Sequence, residues 1–212
     1  MIKKLLVSVF LMSVVFNAYG KIYQCTTKGG AVAFSDKPCP SKSKESEVVL
    51  KVGSASPRLN EATALGGKVL YSKPVNFAPM SKEMVDLKYP SLNQPDEVLS
   101  ESTGAVSLAF SYTDNKVEVT DFEVFKTILK KSFSNLYPTA QWKRNEIINQ
   151  NGSTFIVLEF TSTAIDTQIH NIMYGTSVNG RLMLISFNTT IEKVNKWLPV
   201  GKKIMSSVSI QN

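Results

Sequence analysis

The chain has 212 residues, with 24 Lys and Arg against 17 Asp and Glu, a formal net charge of +7, one histidine and two cysteines. This suits one medium-sized domain with a small appendage, and it excludes zinc sites built on several histidines. The cations are scattered singly or in pairs among acids, not clustered in the basic stripe of a nucleic-acid-binding protein.

Lys3 and Lys4 open the chain as a basic segment, residues 5–16 are apolar, and Ala18-Tyr19-Gly20 is a small-x-small cleavage site. Residues 1–20 are therefore expected to be a signal peptide, and the mature protein to be periplasmic. The apolar run falls short of the ~20 residues that a membrane span needs. Ile22-Tyr23-Gln24 before Cys25 is no lipid-attachment motif.

Residues 21–39 read as a β-hairpin. Ile22 to Cys25 form one strand, Lys28-Gly29-Gly30 the turn, and Ala31 to Phe34 the return. Cys25 and Cys39 are expected to pair, as an even cysteine count in an oxidising compartment does. They close a loop of about 15 residues, worth about 3 kcal/mol in the chain-entropy account. Their spacing is not C-x-x-C, so the bond is structural, and two sulfurs are too few to hold a metal. Residues 40–67, rich in Ser, Lys, Gly and Ala, read as a flexible linker.

The second domain is expected over 68–212. Prolines at 74, 79, 90 and 95 break up residues 68–101, where one edge strand and a short helix over 81–87 are expected. Residues 104–112 alternate as a strand, with a turn at 113–116 and a brief return at 117–119. Thr120 and Glu123 have capping-box spacing. The helix they open carries Phe122, Phe125, Ile128, Leu129, Phe133 and Leu136 at three- and four-residue steps, one stripe for the core. Pro138 ends it.

Strands follow over 141–148 and 153–161, joined at Asn151-Gly152, and over 167–178 and 181–188, joined at Asn179-Gly180. Asn-Gly between alternating runs signals a type I′ hairpin, whose two central residues need positive φ. A second capping-box spacing, Thr189 to Glu192, opens a closing helix with Trp197, Leu198, Ile204 and Met205 inward and Pro199 within it.

Two resemblances rest on these residues. The Tyr23 strand, the Gly29-Gly30 turn and Phe34-Ser35-Asp36 before Pro38-Cys39-Pro40 resemble a small family of unknown function, found after the signal peptide of proteobacterial envelope proteins. Gly180 to Asn188, the helix after Thr189 and the closing Ser206 to Ile210 resemble the PsbP-like superfamily, with its DcrB-like envelope proteins. That resemblance implies an α+β fold, an antiparallel sheet packed with two long helices. It also implies a mostly non-catalytic membership of assembly factors and binding modules.

No catalytic motif accompanies the fold. A hydrolytic triad would have to use His170, and no G-x-S-x-G elbow exists. Asp114, Glu118, Glu159 and Asp166 are scattered carboxylates, and His170 reads as a satisfied mid-strand histidine. No catalytic residue, metal or cofactor is expected. With only two long helices, one sheet face is expected to stay partly open, with Trp142, Phe155, His170 and Tyr174 as partner-binding residues on it. Two readings of function follow: a periplasmic accessory module that binds a protein partner in the envelope, or an immunity-type protein that neutralises a toxin effector delivered there. A mildly basic exterior also favours contact with an anionic membrane surface.

Overall fold

The computed structural model describes residues 22–26, 32–35, 39, 44–48, 56–90, 94–164 and 167–211. The expected signal peptide, 1–20, lies outside them, as does Asp166. The chain divides into two compact units, Met1–Gly53 and Ser54–Asn212.

In the first unit β1 (Ile22–Thr26) pairs with β2 (Val32–Ser35), and Cys25 is bonded to Cys39. The hairpin is joined by a third strand, β3 (Lys44–Val48), on the other side of β1. A lone hairpin is marginal in water, and a third strand and a cross-link both offset that. The span 40–67, expected as linker, thus holds β3 and, in the second unit, β4 (Leu59–Ala64). Polar composition hid both strands, whose backbone pairing does not depend on large apolar side chains.

The larger unit continues with β5 (Val69–Pro74), β6 (Ala78–Pro79), α1 (Lys82–Lys88), β7 (Glu97–Ser100), β8 (Val106–Lys116) and α2 (Phe122–Leu136). Then come β9 (Gln141–Gln150), β10 (Ser153–Thr163), β11 (Gln168–Val178), β12 (Arg181–Thr190), α3 (Val194–Ser207) and β13 (Ser209–Ile210). Seven strands form one antiparallel sheet in the order β6-β7-β8-β12-β11-β10-β9. A smaller sheet has the order β13-β5-β4.

Both Asn-Gly turns form as expected: Asn151, Gly152, Asn179 and Gly180 all have positive φ, between 48° and 77°. The turn expected at 113–116 does not. There β8 runs on, held to β12 by Arg181, which donates to the Thr113 carbonyl and to Asp114.

Each face of the large sheet has its own core. Val106, Leu108, Phe110, Phe155, Val157, Tyr174, Ile185 and Phe187 pack under α3 and the small sheet, with Tyr71, Trp197, Val200 and Ile204. Gly201 brings α3 close, since a Cβ there would stand 2.3 Å from the Phe187 ring. Gln150 and Asn151, at the β9–β10 turn, donate to the carbonyls of Met205, Ser206 and Val208. They thereby satisfy acceptors that a helix end leaves unpaired.

The opposite face packs Ile156, Leu158 and Leu182 under α2, through Phe122 and Leu129. Within the expected stripe, Phe125 and Phe133 are half-buried, whereas Ile128 and Leu136 are 48% and 65% exposed. The buried side of the helix runs through Phe122, Phe125, Leu129 and Phe133, and Ile128 and Leu136 fall to its solvent side. The capping box forms two residues earlier than expected, between Glu118 and Asp121 around a 3-10 turn. The second does not form; Thr189 is buried in β12, and Thr190 precedes the 3-10 turn without a side-chain cap. Among the described residues no helix is long and apolar enough to cross a membrane.

Candidate functional site

The four residues expected on an open face are not on one. Phe155 and Tyr174 belong to the core under α3, their rings 5.4 Å apart, and His170 is 3% exposed. Trp142 is half-buried on the α2 side, 4.7 Å from Phe160, with Lys130 Nζ 5.6 Å above its ring. The reason is coverage: the small sheet and α3 occupy one face and α2 the other, so large rings on either face are sheltered. Strand alternation carries no information on what lies above a face, and Trp142 lies on the opposite face from Phe155 and Tyr174.

Three of them nevertheless border one place, the outer margin of the sheet at β9. His170 on β11 donates through Nε2 to Glu159 Oε1 of β10 at 2.8 Å, and both side chains are 4% exposed. Arg144 lies opposite Glu159 in register, and its Nη1 is 3.8 Å from Glu159 Oε2. Lys202 of α3 reaches to 3.9 Å of Oε1. Neither cation is within hydrogen-bonding distance, and Glu159 Oε2 is buried with no partner. Arg144 is engaged elsewhere, donating through Nε to Glu146 Oε1 at 2.6 Å. Although burial opposes its charge, Glu146 outweighs that and raises the Arg144 pKa. The Tyr174 hydroxyl sits beside Arg144, and burial pushes its pKa up.

The strand carrying Arg144 is the last in the sheet. Lys143, next to Arg144, is exposed, and the pairing register shifts between Glu159 and Phe160, beside these cations. Such bulges recur next to binding sites, where they re-aim a side chain. The margin therefore combines a buried Glu–His pair, a rim of cations only partly committed to acids, and a strand edge to which no other described strand is paired. Glu159 was visible in the sequence only as one of several scattered carboxylates. Arg144 and Lys202 carried no signal, because strand pairing and the α3 docking bring them together.

What this arrangement can do is attract and hold. His170 is sheltered under the sheet's own cover and tied to Glu159. Of the other carboxylates noted in the sequence, Asp114 pairs with Arg181 and Glu118 serves the 3-10 turn, so neither stands with Glu159. Among the described residues no group of three or more His, Cys, Asp or Glu side chains is placed to hold a metal ion.

A family model described as a domain of unknown function (DUF4124) matches residues 11–64, which takes in the disulfide-linked unit and reaches the end of β4. No curated protein matches the chain in sequence. Among solved structures, cyanobacterial PsbP (CyanoP) from Synechocystis sp. PCC 6803 is similar at 16% identity and a TM-score of 0.54, over 76% of this chain and 96% of that one. LpqN, involved in cell envelope biogenesis of Mycobacterium tuberculosis, aligns at 9% identity over 73% of this chain and 92% of that one, with a TM-score of 0.47. The CyanoP likeness bears on fold and on nothing further. The chain has the α+β fold of the PsbP type, an antiparallel sheet with two long helices, and a disulfide in its N-terminal unit.

Proposed function

We propose that this protein is an exported, non-catalytic binding module of the cell envelope, acting through protein–protein contacts at the β9 margin. The observation that carries the reading is the outermost strand, to which no other described strand is paired, with cations on its rim and a buried carboxylate oxygen that makes no hydrogen bond behind it. The Cys25–Cys39 bond supports an oxidising compartment, where such bonds persist.

The test is a photo-crosslinking residue at Lys143 or Asn149, with a third at Leu87 on α1 as control, in the full chain made in its own host. One envelope protein is expected to attach through β9 positions, and Lys202→Gln should reduce its yield without changing the melting temperature. Attachment from Leu87 alone, or from none of the three, would overturn the reading. A captured partner that proves to be a toxin encoded alongside the protein would move the assignment to the immunity class.

A further inference from the structure

The two margins of the large sheet are built differently. At one, β6 has only two residues and ends in Pro79. Short, proline-bearing edges are how proteins keep other strands from pairing. At the other, β9 has ten residues and no proline. The two-residue turn at Asn151-Gly152 makes Gln150 and Ser153 a hydrogen-bonded pair, and every second pair onward repeats it: Ile148 with Phe155, then Glu146 with Val157. The backbone N–H and C=O groups of Asn145, Ile147 and Asn149 therefore point away from β10, out of the sheet.

The side chains along this edge supply a second observation. Among the described residues, two buried side-chain polar atoms lack a hydrogen-bond partner, Asn145 Oδ1 and Glu159 Oε2. One is on β9 itself and the other on the strand next to it. Lys130 over Trp142 flanks the α2 side, Lys202 stands on the α3 side, and Lys143 and Arg144 lie in the edge. Glu146 is already engaged by Arg144.

Resting on the functional reading above, we propose that the partner presents an acidic, extended polypeptide segment that adds to β9 as an eighth strand. Its backbone would take up the outward groups of Asn145, Ile147 and Asn149, as in other strand-addition complexes. Its carboxylates would meet the cations on both sides of the edge. A polypeptide fits better than a lipid surface, because the unfilled groups are backbone donors and acceptors in strand spacing. A second copy of this chain fits less well, since pairing β9 with itself brings Lys143, Arg144 and Lys202 of both copies to one seam.

The probe is a seven-residue peptide, acetyl-Thr-Glu-Val-Glu-Thr-Glu-Val-amide, added to the mature chain, with its Lys-for-Glu counterpart as control. The acidic peptide is expected to bind more weakly as salt rises, and to slow amide exchange at Asn145, Ile147 and Asn149. Asn145→Pro removes an outward donor without touching the β9–β10 ladder, and should weaken binding about tenfold, the equivalent of one good hydrogen bond. Lys202→Gln should weaken it less and flatten the salt dependence. Equal binding of the lysine peptide, or unchanged exchange at saturation with the acidic one, overturns the proposal. So does protection of the same amides by self-association alone, or by phosphatidylglycerol vesicles but not by peptide. Should Asn145→Pro fail to fold, the exchange data and Lys202→Gln still decide. Crosslinking through β9 without acidic-peptide binding removes this inference and leaves the functional reading; peptide binding without crosslinking does the reverse.

Discussion

Glu101 and Glu159 are both carboxylates removed from water, and the molecule treats them in opposite ways. Glu101, between β7 and β8, accepts from the Thr103 amide and hydroxyl, the Ala105 amide and Lys193 Nζ. Burial works against its charge, yet the hydrogen bonds from Thr103 and the Lys193 ammonium hold its pKa down to about 2. Glu159 is as buried, but it has one short bond, from His170, and two cations standing just out of reach. A saturated carboxylate ties a loop together. An unsaturated one, beside the outermost strand, leaves Lys202 without a close acid while Arg144 turns to Glu146, which is why we propose the contact site at β9 and not at the Glu101 loop.

The comparison can be broken at either end. Glu101→Ala should cost the most, about 3–5 kcal/mol, because it strands Lys193 and two backbone donors. Urea unfolding at neutral pH reads this directly. A loss below about 1 kcal/mol would mean the loop is not held by its carboxylate.

Acid titration should reveal nearly as much. The folded pKa of Glu101, about 2, lies below the 4.5 usual for a glutamate, so its contribution is complete above pH 4.5 and disappears as pH falls through about 2. The difference corresponds to about 3 kcal/mol. Glu101→Gln should therefore flatten the stability profile between those pH values, and an unchanged acid limb would contradict the assignment.

The two lysines come next. Lys193→Met should cost about 1–3 kcal/mol, since its ammonium serves both Glu101 and Thr103. Lys202→Gln should change stability by about 0.5 kcal/mol or less, as expected of a half-exposed cation without a close partner. Equal effects of the two on thermal melting would erase the distinction.

Glu159→Gln should also stay within about 1 kcal/mol, because the amide oxygen can still accept from His170, Oε2 makes no hydrogen bond to lose, and the weakened attraction to Arg144 is offset by removing a buried charge. A loss as large as that of Glu101→Ala would make the Glu159 cluster a structural element and weaken the case for β9 as a contact surface.

Much of this architecture was legible from residues alone. The alternating runs around Asn151-Gly152 and Asn179-Gly180 became the β9–β10 and β11–β12 hairpins, since positive φ at those turns and a two-residue side-chain period leave little choice of register. Cys25 and Cys39 had only each other to pair with in the sequence. The stripe centred on Phe122 and Leu129 marked α2 and its inner side, although Ile128 and Leu136 at the margins stayed out.

Other features depended on the assembled fold. β4 reads as linker because a strand of small and polar residues is recruited by pairing with β5, not by its own hydrophobicity. Phe155, His170 and Tyr174 lie inside because α3 and the small sheet cover their face, a matter of which elements dock, not of strand pattern. Sequence by itself determined the hairpins, the disulfide and the helix faces, all set by local backbone geometry and side-chain period. Only the tertiary structure decided which strand stands at the open margin and which charges gather there. Arg144, Glu159, His170 and Lys202 lie on four different elements, so their meeting is a product of strand order and helix docking.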